Sequence, residues 1–395
     1  VPTFKVFYGE VGNFVKKLDA ALRKKIIVTP KIRELAEKIK QNSRNDVDAL
    51  HKFVTENIIE AGPALNEAPW SIFSTPEETL KSGVGNSADR AILYAALCEA
   101  LKIKYSFIAV SDLPFRLNPE ITFFDDSSFS SIILKIDLGG YLNASDRYGN
   151  GENILGYNKI CCDITNRKWL ESLSLCENSN DRNIMCNITI KDDSSAEIAV
   201  TERHFGIYFP ALNRKLSTST PEELKQFFQS KVAAVSQAAT LKDFSFDAKY
   251  ATIEYQFTVP GFLIKSGKYH TFELPLAKNF ASMLRLSGEK RTLPYQRSIN
   301  DSYSVHYSLT LPQNLKHISP AACSPNRRNF TSTELPPGSG FVKWITDYGQ
   351  KIEIMYMLGL PFETLQPQEY QNLFKLNKLL NDPSLRKVIL EERKK

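Results

Sequence analysis

This 395-residue chain has only five histidines, which limits the catalytic sites that it can form. A serine or cysteine nucleophile normally needs a neighbouring imidazole to take its proton. No histidine lies between His51 and His204, so the long stretch between them carries no base of this kind. The sequence also lacks a GxSxG elbow, an HExxH motif, a phosphate-binding loop and a dinucleotide-binding glycine pattern. No familiar hydrolase, metalloprotease or nucleotide-binding class is indicated by motif.

Four of the six cysteines lie within one short stretch, at Cys161, Cys162, Cys176 and Cys186. A metal site is the least supported interpretation, because there is no CxxC pair and no nearby histidine. Two other interpretations stay open. Cys161 and Cys162 are adjacent, so on a strand they would point to opposite faces and fill apolar positions. Alternatively, one disulfide forms within the group. We predict neither a metal ion nor a cofactor.

The composition is that of an ordinary globular protein, with 42% hydrophobic and 24% charged residues. The net charge is only +6, and basic residues are interleaved with acidic ones throughout. A nucleic-acid-binding protein would concentrate its basic residues on one stripe with aromatic residues between them, so we expect no nucleic-acid partner. No apolar run approaches the roughly 18 residues of a membrane helix, and we expect no membrane span. The chain starts at Val1, which favours a processed or truncated product.

The spacing of apolar residues changes along the chain. Up to about residue 105 it predicts helices, three of them before residue 60. Thr75 carries a helix-capping signature, and residues 86–101 form a strongly apolar helix that should be buried. From about residue 104 the period approaches two, which predicts strands at 105–110, 131–137 and 140–143.

Short predicted strands then dominate from about residue 184 to 358, with one helix that begins at Thr220. This succession favours an antiparallel β-sandwich. The last segment, 366–395, has an apolar stripe at helical spacing. We therefore expect an α+β protein in three parts: a core domain at 1–180, a β-sandwich domain at 181–360 and a helical C-terminal tail at 361–395.

The segment that opens the buried helix resembles a known active-site motif. Gly85-Asn86-Ser87-Ala88-Asp89, followed by a helix and a strand, is similar to the Gly-Asp/Asn-Cys-Lys-Asp motif of the transglutaminase-like superfamily, which has a papain-like fold. In that family the cysteine stands at a helix N-terminus, where backbone N–H groups favour its thiolate. A histidine on a following strand acts as its base, and an aspartate on the next strand orients the histidine.

The resemblance implies that all three catalytic residues have been replaced. Ser87 stands at the nucleophile position. Residues 129–133 match the family's Phe-x-His-x-Ile strand and put Ser131 at the histidine. Residues 141–143 match its aromatic-x-Asp strand and put Asn143 at the aspartate. The expected site is therefore a degenerate triad that cannot perform acyl transfer through a thiolate.

Similarity of this kind covers roughly residues 5 to 360. Residues 156–163 resemble the strand after the triad aspartate in a bacterial subgroup whose core lies between two β-rich domains of unknown function. Residues 291–294 resemble the Arg-x-x-Pro element of that subgroup's C-terminal domain. The resemblance implies a periplasmic or secreted protein, in which Val1 marks a domain boundary.

The first functional hypothesis is a catalytically inactive binding or scaffold module of an exported bacterial protein. A peptide, a polysaccharide or a protein partner would occupy the former active-site cleft between the buried helix and the strands. Trp70, Asn86 and Asp89 are the candidate binding residues. Trp70 precedes the helix in a loop that borders the cleft in this fold, and Asp89 could bind a cation or a substrate amine. An acid in the first helical turn is also explained by the helix dipole alone.

The second hypothesis is a cysteine-protease- or transglutaminase-like hydrolase with a rearranged site. In it Ser87 would work with a histidine from outside the core, and His51 and His204 are the candidates. A third hypothesis is a purely architectural domain of a longer exported protein.

Overall fold

The computed structural model describes residues 11–41, 46–67, 69–114, 128–137, 140–142, 147–149, 159–170, 180–206, 208–276, 284, 286, 288, 290–296, 301–318, 328–330, 340–360 and 364–393. The chain divides into two compact units, Val1–Glu177 and Asn178–Lys395. Helices and strands occur in both units, so the protein is of mixed α and β structure. Within the described residues, no helix is long and apolar enough to cross a membrane.

The first unit is helical before it becomes a sheet, as the spacing of apolar residues predicts. Its helices are α1 (Val11–Lys25), α2 (Pro30–Gln41), α3 (Asp46–Asn57), α4 (Pro76–Ser82) and α5 (Ser87–Ala100). Two short strands, β1 (Ile59–Glu60) and β2 (Val84–Gly85), pair in parallel just before α5. Every residue of α5 from Ala88 to Cys98 is buried, which confirms the prediction of a central helix.

A five-stranded sheet follows in the first unit, in the order β5-β4-β3-β6-β7. Its strands are β3 (Tyr105–Pro114), β4 (Phe129–Ile136), β5 (Tyr141–Leu142), β6 (Lys159–Asp163) and β7 (Lys168–Leu170). Their pairings are all antiparallel. On one face Ile132 and Leu134 belong to the core that contains α5, whereas Ile133 belongs to a separate cluster on the opposite face.

The cysteines of this region are thiols that fill the core. Cys161 joins the cluster on the far face of the sheet and Cys162 joins the core around α5, which confirms that they point to opposite faces of a strand. Cys161, Cys162 and Cys186 are all free, so no disulfide joins these three. Cys176 lies outside the described residues.

The second unit contains a large sheet in the order β10-β11-β9-β8-β15-β19-β18-β17. Its strands are β8 (Asn180–Ile190), β9 (Ala196–His204), β10 (Thr240–Asp247), β11 (Thr252–Val259), β15 (Asp301–Thr310), β17 (Arg328–Phe330), β18 (Gly340–Asp347) and β19 (Lys351–Leu360). A small sheet, in the order β12-β13-β21-β16, consists of β12 (Ile264–Ser266), β13 (Tyr269–Glu273), β16 (Leu315–His317) and β21 (Lys387–Glu392). Strands β14 (Tyr295–Gln296) and β20 (Thr364–Leu365) form a separate pair. The helices of this unit are α6 (Tyr208–Thr218), α7 (Pro221–Val235), α8 (Pro367–Asn381) and α9 (Pro383–Arg386).

Both sheets and helices α6, α7 and α8 contribute to one hydrophobic core. Phe228 of α7, for example, stacks on Phe244 of β10 with ring centroids 4.5 Å apart. The prediction of a wholly antiparallel sandwich is wrong in one respect, because β8 and β15 pair in parallel. Their pairing joins segments more than a hundred residues apart, which no local pattern reveals.

The C-terminal segment is part of the second unit and not the predicted helical tail. Helix α8 ends at Asn381, just before an Asp-Pro pair that cannot continue it. Val388 and Leu390 are then buried alternately on β21. Since β21 pairs with both β13 and β16, it is an inner strand of the small sheet.

Candidate functional site

The start of α5 is closed by a reciprocal cap. Asn86 Oδ1 accepts hydrogen bonds from the backbone N–H groups of Ala88 and Asp89, at 2.9 and 3.0 Å. Asp89 Oδ2 accepts from the N–H of Asn86 at 3.1 Å, and Asp89 Oδ1 accepts from the N–H of Ser74 at 2.6 Å. This is a capping box, which satisfies N–H groups that a helix leaves open. The candidate binding residues Asn86 and Asp89 are both buried, and these bonds give both a structural role.

Gly85 permits the tight turn into this cap. A Cβ atom at this position would lie 3.0 Å from Asp89 Cβ and 3.2 Å from Thr79 Cγ2. Contacts this short are tighter than nine in ten real Cβ contacts, so a side chain here would require Asp89 or Thr79 to shift by a few tenths of an ångström. The glycine of the motif therefore serves close packing in this chain.

Ser87 is the first residue of α5, in the position that the resemblance assigns to the nucleophile. Its Oγ atom is buried and has no hydrogen-bond partner within the described residues. A serine hydroxyl is essentially un-ionised near neutral pH and reacts only when a base removes its proton. In the described part of the chain, no such base is within hydrogen-bond distance of Ser87 Oγ.

Neither histidine proposed for a rearranged site is hydrogen-bonded to Ser87 Oγ. His51 is buried in α3, and its carbonyl oxygen accepts a hydrogen bond from the Tyr94 hydroxyl at 3.3 Å. Tyr94 is seven residues beyond Ser87, about 10 Å along the helix axis. His204 ends β9 in the second unit, where its Nε2 lies 3.5 Å from Glu202 Oε2.

Ser131 lies on the face of the sheet that α5 does not contact. Its register partner on β3 is Val110, which belongs to the far-face cluster together with Ile133. Directly opposite residues of an antiparallel pair share a face, and successive residues alternate. The structure thus separates Ser131 from Ser87. Asn143 lies outside the described residues.

The described thiols supply no alternative nucleophile that the structure supports. Cys98 lies three turns along α5 in the core, and burial raises the pKa of its thiol to about 12. Burial also raises the pKa of the Cys162 thiol to about 12. A thiol with so high a pKa contains almost no thiolate at neutral pH. Within the described residues no three His, Cys, Asp or Glu side chains are grouped so that they could hold a metal ion.

Trp70 packs within the first unit. Its ring meets Phe14 edge-on at 5.4 Å between centroids, and Phe14 in turn stacks on Phe129 at 5.5 Å. The indole is half-buried and packs against the core that contains α5. A ring already covered in this way offers less surface for a sugar or peptide than the sequence suggested.

Exposed aliphatic residues beside the start of α5 were not predicted from the sequence. Ile59 and Val84 are register partners on β1 and β2, and they are 69% and 41% exposed. Ile72, 49% exposed, lies two residues before the Ser74 N–H that binds Asp89. Strands β1 and β2 are only two residues long each, so the sequence contains no periodic pattern from which these residues could have been predicted.

An ion pair fixes β1 to α5. Arg90 is almost completely buried, and its Nη1 donates to Glu60 Oε2 at 3.3 Å. Burial lowers the pKa of the Arg90 guanidinium, and Tyr94 and Glu60 act in the opposite direction. Because Glu60 follows Ile59 directly, the pair holds Ile59 beside the helix start.

No family profile and no curated protein match this chain. A solved structure of similar fold is that of a protein described as a putative protease, from Parabacteroides distasonis. The match covers 97% of this chain with a TM-score of 0.57 and 13% sequence identity. This chain spans 59% of the length of that protein. Identity this low shows a likeness of fold alone.

Proposed function

We propose that this chain is a catalytically inactive protein of the transglutaminase-like, papain-like fold that acts as a binding or scaffold module. The observation that carries the proposal is the Ser87 hydroxyl, buried and without a hydrogen-bond partner in the described part of the chain. A nucleophile needs both a base and access for its substrate. Within the described residues, no base is within hydrogen-bond distance of Ser87 Oγ, and that atom is buried, which supports an inactive role.

The fold supports the family assignment within this proposal. A buried helix that opens at the Gly85-Asn86-Ser87 motif is followed by an antiparallel sheet, in the order that the resemblance implies. The likeness to the Parabacteroides protein extends over nearly the whole chain. Fold does not determine function, so the assignment of an inactive role rests on the site and not on the fold.

The exposed pair Ile59 and Val84, together with Ile72, which is exposed two residues before the Ser74 N–H that binds the cap of α5, supports a peptide or protein partner. Exposed aliphatic side chains grouped beside a former catalytic position are typical of a surface that binds apolar side chains. A polysaccharide would instead favour an exposed aromatic face, and Trp70 is partly covered by Phe14. Of the three ligand classes considered, a peptide or protein segment therefore fits best.

The first part of the test concerns catalysis. We expect that a fluorophosphonate probe will not label the native protein at Ser87, and that peptide and amide substrates will not be turned over. The Ser87→Ala variant should behave like the wild type in these assays, because its hydroxyl performs no chemistry. Covalent labelling is read by mass spectrometry of the intact chain and of its Ser87 peptide. Labelling or hydrolysis that disappears in Ser87→Ala would show the hydrolase of the second hypothesis, whose support is the fold likeness to the protein described as a putative protease.

The second part concerns binding. Peptides selected from a displayed random library on the wild-type protein should bind Ile59→Asp at least about tenfold more weakly, a loss of about 1.4 kcal/mol. The matched control is Ile264→Asp, because Ile264 in the second unit is 67% exposed and Ile59 is 69% exposed. Equal binding by both variants, or a library that yields no binder, would contradict a peptide-binding role for the exposed residues beside α5.

An exported location, periplasmic or secreted, belongs to the same proposal and rests on the family resemblance. Fractionation of cells that produce the natural protein tests it. Recovery with a cytoplasmic marker enzyme would contradict it.

A further inference from the structure

Three of the four methionines of the chain lie on the outer face of the large sheet in the second unit. Met185 on β8 is the register partner of His306 on β15, and His306 is the register partner of Met355 on β19. Met357 lies on the same face, two residues beyond Met355. Met185 and Met357 are 54% and 40% exposed. Methionine is usually buried, so two exposed methionines and the half-buried Met355 around one histidine need an explanation.

The spacing of the strands brings these donors within reach of one point. Neighbouring strands lie about 4.8 Å apart, and side chains directly opposite each other have Cβ atoms about 5 Å apart. His306 stands between Met185 and Met355, one strand from each. A methionine side chain has three flexible bonds, so each sulphur can lean towards the imidazole. Two thioether sulphurs and one imidazole nitrogen can therefore meet one ion above His306.

Glu353 orients the imidazole for this role. His306 Nε2 lies 3.5 Å from Glu353 Oε2, and Glu353 Oε1 is held by Lys351 Nζ at 2.7 Å. A carboxylate beside one ring nitrogen favours the N–H form there and leaves the other nitrogen with its lone pair. Nδ1 is then the atom that can bind a metal ion. A metal ion bound at Nδ1 would complete a carboxylate–histidine–metal arrangement.

Trp344 extends the same row on the next strand. It is the register partner of Met355 on β18 and is half-buried. An indole face attracts a nearby cation and limits the access of water to it. The row across four adjacent strands is thus methionine, histidine, methionine, tryptophan.

We propose that Met185, His306 and Met355 form a binding site for Cu(I), with Met357 as an additional sulphur donor. Thioether sulphur is a soft ligand that selects Cu(I) over Zn(II), Mg(II) and Ca(II), and imidazole is compatible with copper. The site lies wholly within the second unit, so it is independent of the fate of the Ser87 site.

The experiment uses Ag(I), a soft monovalent ion without redox chemistry, on protein labelled with 13C at its methionine methyl groups. Accessible thiols are first alkylated, so that cysteine does not compete for the metal. Four methionines give four methyl signals, which single Met→Leu variants assign. We expect the Met185 and Met355 signals to shift and to saturate at one Ag(I) per chain, with Met283 unmoved. Zn(II) at the same concentration should shift none of them.

The variants test the ligand set. Met185→Leu combined with Met355→Leu keeps the shape of both side chains and should abolish stoichiometric binding, with an unchanged circular dichroism spectrum. His306→Asn should weaken Cu(I) binding at least tenfold in competition with a chromophoric Cu(I) chelator, whereas Met283→Leu should not. The proposal is overturned if the Met185 and Met355 signals stay in place, if they shift without saturating, or if Zn(II) shifts them equally. If the methionine methyl signals do not shift, the row of Met185, His306, Met355 and Trp344 would instead be interpreted as an apolar surface that binds a protein partner.

Discussion

Replacing Glu202 by alanine is expected to lower the free energy of unfolding of the second unit by about 3 to 5 kcal/mol. Glu202 on β9 is 4% exposed and accepts hydrogen bonds from Tyr255 at 2.7 Å and from Lys231 at 2.8 Å to each oxygen. Without the carboxylate, the buried Tyr255 hydroxyl and the partly buried Lys231 ammonium would both lose this partner. Such a loss costs far more than the net value of the interaction itself.

Urea unfolding measures this effect, and Glu197→Ala is the matched control. Glu197 lies on the same strand but is exposed, where it pairs with Lys191 at 2.8 Å. A surface pair of this kind is worth at most about 1 kcal/mol. Similar losses in both variants would show that the buried network contributes no more than an ordinary surface ion pair.

The same carboxylate gives the unit a predictable acid sensitivity. Burial acts to raise the pKa of Glu202, but the hydrogen bond from His204, the charge and hydrogen bond of Lys231 and the Tyr255 hydroxyl outweigh it. They hold the pKa at about 2, below the ordinary 4.5. Because the folded-state pKa is below the unfolded one, the stabilisation is complete above about pH 4.5 and is lost as the pH falls towards 2. In Glu202→Gln this part of the pH dependence should be absent.

Local chemistry allowed the helices to be predicted well, because each carries its signals in consecutive residues. The helix caps at Thr75 and Thr220 were each predicted from four consecutive residues, and both are capping boxes in the structure. The run of apolar residues after Ser87 likewise indicated the enclosed helix α5. The alternation of apolar and polar residues was sufficient to predict strands β8, β9 and β19, and the burial of their side chains alternates along each strand.

What sequence reasoning missed depends on contacts between distant residues. Helix α6 was not predicted, since its sequence contains Pro210, which interrupts the helical pattern near its start. Two partners of Glu202, Lys231 and Tyr255, come from α7 and β11, and nothing near Glu202 in the sequence indicates them. At the candidate site the motif indicated where Ser87 would lie. Its burial, and the position of Ser131 on the other face, depend on sheet register and packing, which the motif does not contain.

Gly206→Ala is the second change for which we expect a large effect, a loss of about 3 kcal/mol or more in the stability of the second unit. Gly206 has φ +59°, a left-handed conformation that costs a residue with a Cβ atom about 1 to 2 kcal/mol. Its Cβ would also lie 2.9 Å from Asn180 Cα and collide with the Asn180 side chain. Overpacking of this kind typically costs a further 1 to 3 kcal/mol.

The collision cannot be relieved cheaply, because Asn180 is buried and begins a strand that is paired on both sides, with β9 and β15. Gly261→Ala separates the two contributions. Gly261 has φ +58°, but its Cβ would meet nothing within 4 Å, so that variant should lose only about 1 to 2 kcal/mol. Both variants are compared by urea unfolding with the same spectroscopic probe. If they lose equal stability, the turn before α6 is free to move away from β8, and the close approach of Gly206 to Asn180 does not determine where that helix begins.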